Sequence, residues 1–506
     1  MNIVFITSDT FRRDALSCYG PSAAKTPHLD ALAQQSYIFD RAFLGSFPTV
    51  PNRLDIMTGR FTFIDHEWCP LPATAITLQQ ILGASGVTTM MTVDNPHLIE
   101  DGFNYCRGFH GWEWIRGQES DLWYTSPKEV KLPSGVGKNR GLKLRLPSIV
   151  RNSSWWTCEE DRHAPRTIRS ACKWLELNQD QEKFFLYIDL FDPHEPWDAP
   201  QHYLDLYEKD YHGLEVPYPR YDFWREFLSE EELNHCRNLY LAEVSMVDHW
   251  VGVLLDKLEE LGLSEDTAVI FTSDHGYLLG EHEIIGKSRI VDFPDGKQKI
   301  EAVPLYHDIR STPLLIRVPG QSAGPHIPAL VQSPDLMPTI LELAGVASTR
   351  VVNGQASFQA LQCGMFVTDT WQFTPEILHG RSLLPLMRGE TSRLRDLAVS
   401  SFTLKQHTSV LSKGAVITED GWCLHYSGHY DESGAPGRMF RQAVMSVEEA
   451  RMPVEPLLFD LNTDPTEQHN LFASDRPLAA EIHARYVRWL EELGTPEENL
   501  SGRRVL

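Results

Sequence analysis

The stretch Asn2-Ile3-Val4-Phe5-Ile6-Thr7-Ser8-Asp9 decides the class of fold. Its apolar residues are consecutive rather than alternating, which is typical of a strand covered on both faces inside a parallel sheet. The polar residues that follow place Asp9 at the C-terminal edge of this strand. Thr26-Pro27 then predicts the start of a helix, because proline is favoured at the first helical position.

Strand-like and helix-like patterns alternate along the rest of the chain. The β-rich runs are 87–93, 184–190, 267–272 and 313–318, and the helical stretches are 76–84, 163–178, 229–261 and 333–344. This alternation predicts an α/β protein with a large, mostly parallel sheet sandwiched by helices. After about residue 400 the pattern changes to antiparallel strand signals and a final helix. We therefore predict a large domain over 1–400 and a smaller α+β subdomain with an antiparallel sheet over 401–506.

Charge and composition narrow the classes of ligand. Among the 506 residues, 46 Lys and Arg face 69 Asp and Glu, which gives a net charge of −23. This negative charge disfavours binding to nucleic acids and to anionic membranes, so we expect neither kind of binding and predict a small-molecule ligand. No apolar run reaches the length of a membrane span and no signal-peptide pattern is visible, which leads us to expect a cytoplasmic protein. The composition also allows a homo-oligomer.

Acidic residues follow several of the predicted strands. Asp9 ends the first strand, Asp189 and Asp192 lie at the end of another, and Asp274-His275 follows a third. In open α/β sheets ligands bind at the carboxyl ends of the strands. These residues are therefore the first candidates for a binding site.

The strongest local motif is Thr49-Val50-Pro51-Asn52-Arg53-Leu54-Asp55-Ile56-Met57-Thr58-Gly59-Arg60. It places a hydroxyl at the start of a predicted helix, an arginine one turn later, and a glycine where the helix ends. Such a hydroxyl could be a nucleophile in the positive field of the helix N-terminus, with Arg53 stabilising an oxyanion. Alternatively, Thr49 only caps the helix.

Together with Asp274-His275-Gly276, this motif resembles the sulfatase branch of the alkaline phosphatase superfamily. That branch has a metal-binding aspartate after the first strand, a Cys/Ser-x-Pro-Ser-Arg nucleophile motif and a later Asp-His/Asn-Gly. The resemblance implies that 1–400 is a sulfatase-like catalytic domain of a hydrolase acting on ester bonds. Further similar segments are Thr26-Pro27-His28-Leu29-Asp30, Pro193-His194-Glu195-Pro196, Gly280-Glu281-His282, Gly286-Lys287, Asp335-Leu336-Met337-Pro338-Thr339 and Gly380-Arg381-Ser382-Leu383.

The nucleophile position departs from the sulfatase pattern. Sulfatases oxidise the motif Cys or Ser to formylglycine, and Thr49 cannot become that aldehyde, so we expect no formylglycine. Threonine at this position resembles the nucleophile of the phosphodiesterase and phosphatase relatives, which form a covalent phosphothreonine. The chain as a whole also resembles the phosphonate monoester hydrolase relatives. We therefore predict a hydrolase of phosphate or phosphonate esters that uses Thr49 as nucleophile.

A divalent metal would stabilise the threonine alkoxide. By resemblance its ligands are Asp9, Thr49, Asp274 and His275. This set of oxygens and one imidazole favours Mn²⁺ or Zn²⁺, with Ca²⁺ as a further candidate. Thr10 stands where sulfatases commonly have a second aspartate, and His275 stands where many have asparagine.

A second metal is an open alternative. In two-metal relatives its ligands are an aspartate at a strand end, a histidine a few residues later and a histidine late in the chain. Asp189, His194 and His379 match this pattern, with Asp192 as a competitor to Asp189. Alternatively, His194 lies in the proline-flanked motif of sulfatases and acts as a general acid without binding metal.

The resemblance also implies substrate contacts. Lys287 matches a sulfatase lysine that contacts the substrate anion, and Asn95 and His97 lie where sulfatases have Gly-Lys-x-His. The aromatic and charged segment 112–119 lines the substrate entrance or, alternatively, packs between domains.

The alternative functions are a sulfuric ester hydrolase without formylglycine, a transferase of a phosphoryl or phosphoalcohol group, and a non-catalytic binding relative. In each case the expected ligand is a small anionic ester.

Overall fold

The computed structural model describes residues 1–292, 298–320, 324–346, 349–352, 355–358, 377–405, 413–428, 443–444 and 450–506. Its largest feature is an eight-stranded sheet, here called the central sheet. In spatial order its strands are His326–Gln332, Tyr37–Phe43, Leu314–Arg317, Thr267–Thr272, Asn2–Ser8, Phe184–Leu190, Thr88–Val93 and Gly111–Trp114.

The central sheet is mostly parallel, as the sequence predicts. Asn2–Ser8 lies in its middle and pairs in parallel with Phe184–Leu190 on one side and Thr267–Thr272 on the other. Only Leu314–Arg317 runs antiparallel to its two neighbours. Because both faces of the middle strand are covered, all seven of its residues are buried.

Helices cover both faces of the central sheet. Val4 and Ile6 pack in one apolar cluster with helices Pro27–Gln34, His163–Asn178 and Glu230–Glu260. Ile3 and Phe5, which point to the opposite face, pack with helices Thr49–Thr58, Leu78–Ala84 and Leu336–Leu343. The alternation of side chains along a strand thus builds two cores from one apolar run.

A second sheet, here called the C-terminal sheet, confirms the predicted antiparallel subdomain. Its strands are Leu397–Ser400, Gly414–Thr418, Trp422–Tyr426 and Leu457–Asp460, each antiparallel to the next. Helix Arg476–Glu492 packs on one face of this sheet. The first strand begins before residue 401, and the division into two domains stays a prediction.

A buried polar cluster joins the C-terminal sheet to the short helix His307–Arg310. Glu467 accepts hydrogen bonds from Arg310 Nη1 at 2.7 Å and from the His307 backbone N–H at 2.7 Å. His425 Nε2 lies 3.0 Å from the other Glu467 oxygen, and Cys423 is beside it on the same strand face. Because Arg310 already balances the Glu467 charge, we interpret this cluster as a structural ion pair rather than a metal site.

The remaining elements are short. The helices are Arg145–Ser153, Gln201–Leu204, His307–Arg310, Leu384–Met387 and Glu497–Leu500. The strands are Asp222–Phe223, Leu278–Leu279, Ile284–Gly286, Ser288–Asp292, Gln298–Ala302, Thr349–Val352, Gln355–Phe358, Ile377–Leu378 and Ala443–Val444. Among the described residues, no helix is sufficiently long and apolar to cross a bilayer.

Candidate active site

Three side chains of types that can bind a metal ion meet at the carboxyl edge of the central sheet. Thr7 pairs with Thr272 on the neighbouring strand, which brings Asp9 level with Asp274 and His275. All three side chains are fully buried, and one ligand atom from each lies within 4.8 Å of the others. The parallel register therefore brings Asp9, at the end of one strand, beside Asp274 and His275, which follow the neighbouring strand.

His275 is held in the tautomer that a metal ligand needs. Its Nδ1 donates to the Gly276 carbonyl at 2.9 Å, which leaves Nε2 as the acceptor, 3.5 Å from Asp274 Oδ2 and 3.1 Å from Lys287 Nζ. Burial lowers the pKa of His275 to about 3, although Asp274 opposes this shift. The ring is therefore neutral at pH 7, as coordination of a cation requires.

The two aspartates accept hydrogen bonds from Thr10 and from the backbone of His275. The N–H groups of Thr10 and His275 donate to Asp274 Oδ1 at 3.0 and 2.8 Å, and the Thr10 hydroxyl donates to Asp9 Oδ1 at 2.8 Å. Thr10 adopts a positive φ of 62°, a costly conformation for a β-branched residue that serves to aim its N–H at Asp274.

Thr49 begins the helix Thr49–Thr58, all of whose residues are buried. The helix ends at Gly59, which adopts the left-handed conformation at φ 66° and donates to the Asp55 carbonyl. Asp55 anchors the helix by accepting hydrogen bonds from Ser46 and Thr62. Within the described residues no side chain caps this helix, and the Thr49 hydroxyl makes no hydrogen bond. The capping alternative is therefore not what the structure shows.

Arg53 is the counter-ion of the acidic cluster. Its Nη1 contacts Asp9 Oδ2 at 3.2 Å, Asp274 Oδ2 and the Thr49 carbonyl at 3.5 Å. Its Nε and Nη2 donate to the two oxygens of Asp189 at 3.0 and 3.1 Å. Every guanidinium nitrogen thus faces a carboxylate, so Arg53 links the start of the Thr49 helix to the acidic residues.

The predicted second metal set is not brought together. Both oxygens of Asp189 are occupied by Arg53, and Tyr187 donates a further hydrogen bond to one of them. His379 stacks on Phe61, and its Nδ1 accepts the Phe61 N–H at 3.0 Å. This contact lies beyond Gly59, at the opposite end of the Thr49 helix, about 15 Å away at 1.5 Å per residue.

Asp192, the competitor to Asp189, is also engaged elsewhere. It accepts hydrogen bonds from Gln118 Nε2 at 2.8 Å and from the Ala164 N–H at 3.3 Å.

The predicted substrate contacts surround the acidic cluster. Asn95 Nδ2 donates to Asp9 at 3.3 Å and to Asp189 at 3.4 Å. Lys287 Nζ lies 3.1 Å from His275 Nε2. His194 Nδ1 lies 2.7 Å from the Glu195 carbonyl and acts as its donor, which leaves Nε2 as an acceptor. Burial and then the charge of Lys287 lower the pKa of His194.

The charges of the cluster favour a cation. Asp9, Asp189 and Asp274 outnumber Arg53 and Lys287 by one negative charge. Burial, and then the Asp274 carboxylate, raise the pKa of Asp9. A divalent ion would outweigh this excess by one positive charge, and the donor set of two carboxylates, a hydroxyl and a neutral imidazole nitrogen fits such an ion.

Sequence reasoning missed a second group of polar residues near the site. Tyr218 and Arg145 both contact Glu119, and Arg140 lies over the ring of Tyr218 at 4.0 Å and pairs with Glu195. Within the predicted entrance segment 112–119, residues 112–114 belong to the edge strand Gly111–Trp114, whereas Glu119 reaches the site. No local pattern marks these residues, because the contacts join segments that are distant in the chain.

Comparisons with known proteins define the class of protein. The sulfatase family model matches residues 1–346. An ulvan-active sulfatase of Formosa agariphila is 27% identical over 375 residues, which span 70% of this chain and 63% of that protein. The multifunctional alkaline phosphatase superfamily protein PehA of Trinickia caryophylli is 25% identical over 422 residues, covering 70% of this chain and 76% of that protein. The phosphonate monoester hydrolase of Silicibacter pomeroyi shares the fold with a TM-score of 0.66 at 20% identity, over 99% of this chain and 96% of that one.

The fold and site are therefore those of a hydrolase acting on ester bonds, of a superfamily whose members use a divalent metal. The chain belongs to the sulfatase family, in the sulfatase branch of the alkaline phosphatase superfamily.

Proposed function

We propose that this protein hydrolyses a phosphate diester, phosphonate monoester or phosphate monoester through a covalent Thr49 intermediate. The observation that carries the proposal is the position of Thr49, a buried residue at the start of a helix whose hydroxyl makes no hydrogen bond to the described residues. Arg53 Nη1 contacts the Thr49 carbonyl as well as Asp9 and Asp274, so the start of this helix lies beside the candidate metal ligands. The proposal is also supported by the fold, which this chain shares with phosphonate monoester hydrolases.

The metal would be held by Asp9, Thr49, Asp274 and His275 and would supply positive charge that makes the threonine hydroxyl acidic. We favour Mn²⁺ or Zn²⁺ over Ca²⁺ because an imidazole is among the ligands. The proposal includes one ion, because both carboxylate oxygens of Asp189, a candidate ligand of the second ion, accept hydrogen bonds from Arg53.

The chain's own residues carry the other steps. The Thr49 oxygen, after loss of its proton to solvent, bonds to phosphorus while the bond from phosphorus to the alcohol oxygen breaks. Lys287 stabilises the negative charge on the phosphoryl oxygens, and His194 donates a proton to the leaving alkoxide. An anionic ester raises the pKa of His194, because a nearby negative charge favours the imidazolium. Water then attacks phosphorus, His194 takes its proton, and Thr49 is released.

The decisive test is to trap the intermediate. Purified protein loaded with Mn²⁺ or Zn²⁺ is mixed with a 4-nitrophenyl phosphonate or phosphodiester, quenched in acid and digested. We expect a phosphonyl or phosphoryl adduct on the peptide containing Thr49, together with a burst of nitrophenol. Turnover without any adduct on Thr49, under conditions that show a burst, would overturn the covalent mechanism.

A sulfuric ester hydrolase that works without formylglycine is the second candidate, supported by the sulfatase family model and the relatives that bear this name. Parallel assays on aryl sulfate and aryl phosphonate esters separate the two functions. The variant Thr49→Cys creates a Cys-x-Pro-x-Arg motif and, matured to formylglycine, should gain sulfate ester hydrolysis. If the unmodified Thr49 protein prefers the sulfate ester, the phosphorus assignment fails.

A further inference from the structure

Glu119 is a buried carboxylate whose two oxygens have different surroundings. Oε1 accepts a hydrogen bond from the Tyr218 hydroxyl and another from Arg145 Nη1 at 3.2 Å. Oε2 is buried and has no hydrogen-bond partner in the described structure. The contacts that hold the side chain in place thus all fall on one oxygen, and the other is left as an acceptor.

The free oxygen of Glu119 faces His97. The distance from Glu119 Oε2 to His97 Nε2 is 3.9 Å, which is too long for a direct hydrogen bond but short enough for one hydroxyl group beside the pair to contact both atoms. The His97 side chain is 22% exposed and that of Glu119 is 2% exposed, so a ligand reaches the pair from the His97 side.

This pair lies next to the proposed catalytic residues. Asn95, which donates to Asp9, accepts the His97 N–H at 3.1 Å through its side-chain oxygen. The Phe191 ring contacts both His97 and His194. Its centroid is 5.9 Å from that of His97 and 4.2 Å from that of His194. The group bound by Glu119 and His97 would therefore belong to the part of the ester that leaves toward His194.

The charges at this pair indicate the chemistry of that group. Although burial opposes it, Arg145 and then His97 lower the pKa of Glu119 to about 2, so the side chain is an ionised acceptor at pH 7. Burial lowers the pKa of His97 to about 4, so its ring is neutral. An ionised carboxylate accepts a hydrogen bond from a hydroxyl group, whereas an anionic group has no proton to donate to it. Trp68, 5.3 Å from His97, adds an aromatic wall.

We propose that Glu119 and His97 form a subsite for a hydroxyl group of the alcohol portion, so that the substrate is an ester of a neutral polyhydroxy alcohol. This inference rests on the proposed function of the Thr49 site, which it extends to the leaving group.

The test is a binding measurement with two matched esters. Glyceryl phenylphosphonate and propyl phenylphosphonate have the same acid and the same three-carbon chain, and they differ only in two hydroxyl groups. Binding is measured by calorimetry on the Thr49→Val variant loaded with Mn²⁺ or Zn²⁺, because this substitution prevents turnover. We expect the glyceryl ester to bind about tenfold more tightly, since a hydrogen bond to a charged acceptor has that magnitude. Adding Glu119→Gln should remove most of this preference and change the propyl ester affinity less than threefold.

Two further variants keep the test interpretable. Tyr218→Phe removes the hydroxyl that holds Glu119 and should reduce the preference partly, whereas Glu129→Gln, at an exposed position, should leave it unchanged. The proposal is overturned if the glyceryl ester shows no preference, if Glu119→Gln leaves the preference intact, or if both affinities fall together as for a merely structural residue. Failure of the proposed function is separate, because it is seen as turnover that survives in Thr49→Val.

Discussion

The replacement Thr49→Val tests the proposed nucleophile with little disturbance of the fold. Valine has nearly the shape of threonine and substitutes a methyl group for the hydroxyl. Because this hydroxyl makes no hydrogen bond in the described structure, the replacement leaves no buried donor or acceptor unpaired. We therefore expect the free energy of unfolding to change by no more than about 1 kcal/mol.

The effect on turnover should be far larger. Removal of a covalent nucleophile lowers kcat on the order of 10⁴-fold or more, which corresponds to about 5.4 kcal/mol of barrier. The matched variant Thr49→Ser keeps the hydroxyl and loses only a buried methyl group. It should retain activity within about tenfold, at a cost of about 1 kcal/mol in stability.

The assay compares the initial rates of the three proteins on one 4-nitrophenyl phosphonate ester at saturating Mn²⁺ or Zn²⁺, with melting temperatures measured on the same samples. Thr49→Val that keeps more than about a tenth of kcat would refute the reasoning, because such a loss is only about 1.4 kcal/mol of barrier. Equal inactivation of Thr49→Ser with an unchanged melting temperature would refute it as well.

Three other outcomes are expected. Asp274→Asn should weaken Mn²⁺ or Zn²⁺ binding measured by calorimetry, because it removes a full charge from the ligand set, and unchanged affinity would contradict the assignment. Glu467→Gln should lower the free energy of unfolding by about 3 kcal/mol in denaturant titrations, because fully buried Arg310 loses its counter-charge, and a loss below about 1 kcal/mol would show that the pair is unimportant. Burial lowers the pKa of His163 and of His275 to about 3, so below pH 6.5 the unfolded chain binds protons that the folded, metal-free chain does not. Stability should therefore fall as pH decreases from about 6.5 to 3, by up to about 1.4 kcal/mol per pH unit for each group, and a flat stability profile in chelator would contradict these shifts.

The amino-acid sequence determined the parts of this protein that depend on local pattern. The apolar run Ile3 to Ile6 predicted the buried middle strand, and the predicted helix over 229–261 is observed as Glu230–Glu260. The end of the Thr49 helix at Gly59 was likewise readable, because a left-handed residue after a helix favours glycine. These features need only neighbours in the chain, so their signals are present in any window of the sequence.

Only the tertiary structure decided how charged residues share partners. The sequence could place Arg53 near an oxyanion and Asp189 near a second metal. It could not show that the two side chains form hydrogen bonds with each other. Nor could it show that His379 stacks on Phe61 at the far end of the helix. Hydrogen bonds are limited in number and direction, so which of several candidate partners a buried group takes depends on packing between segments distant in the chain.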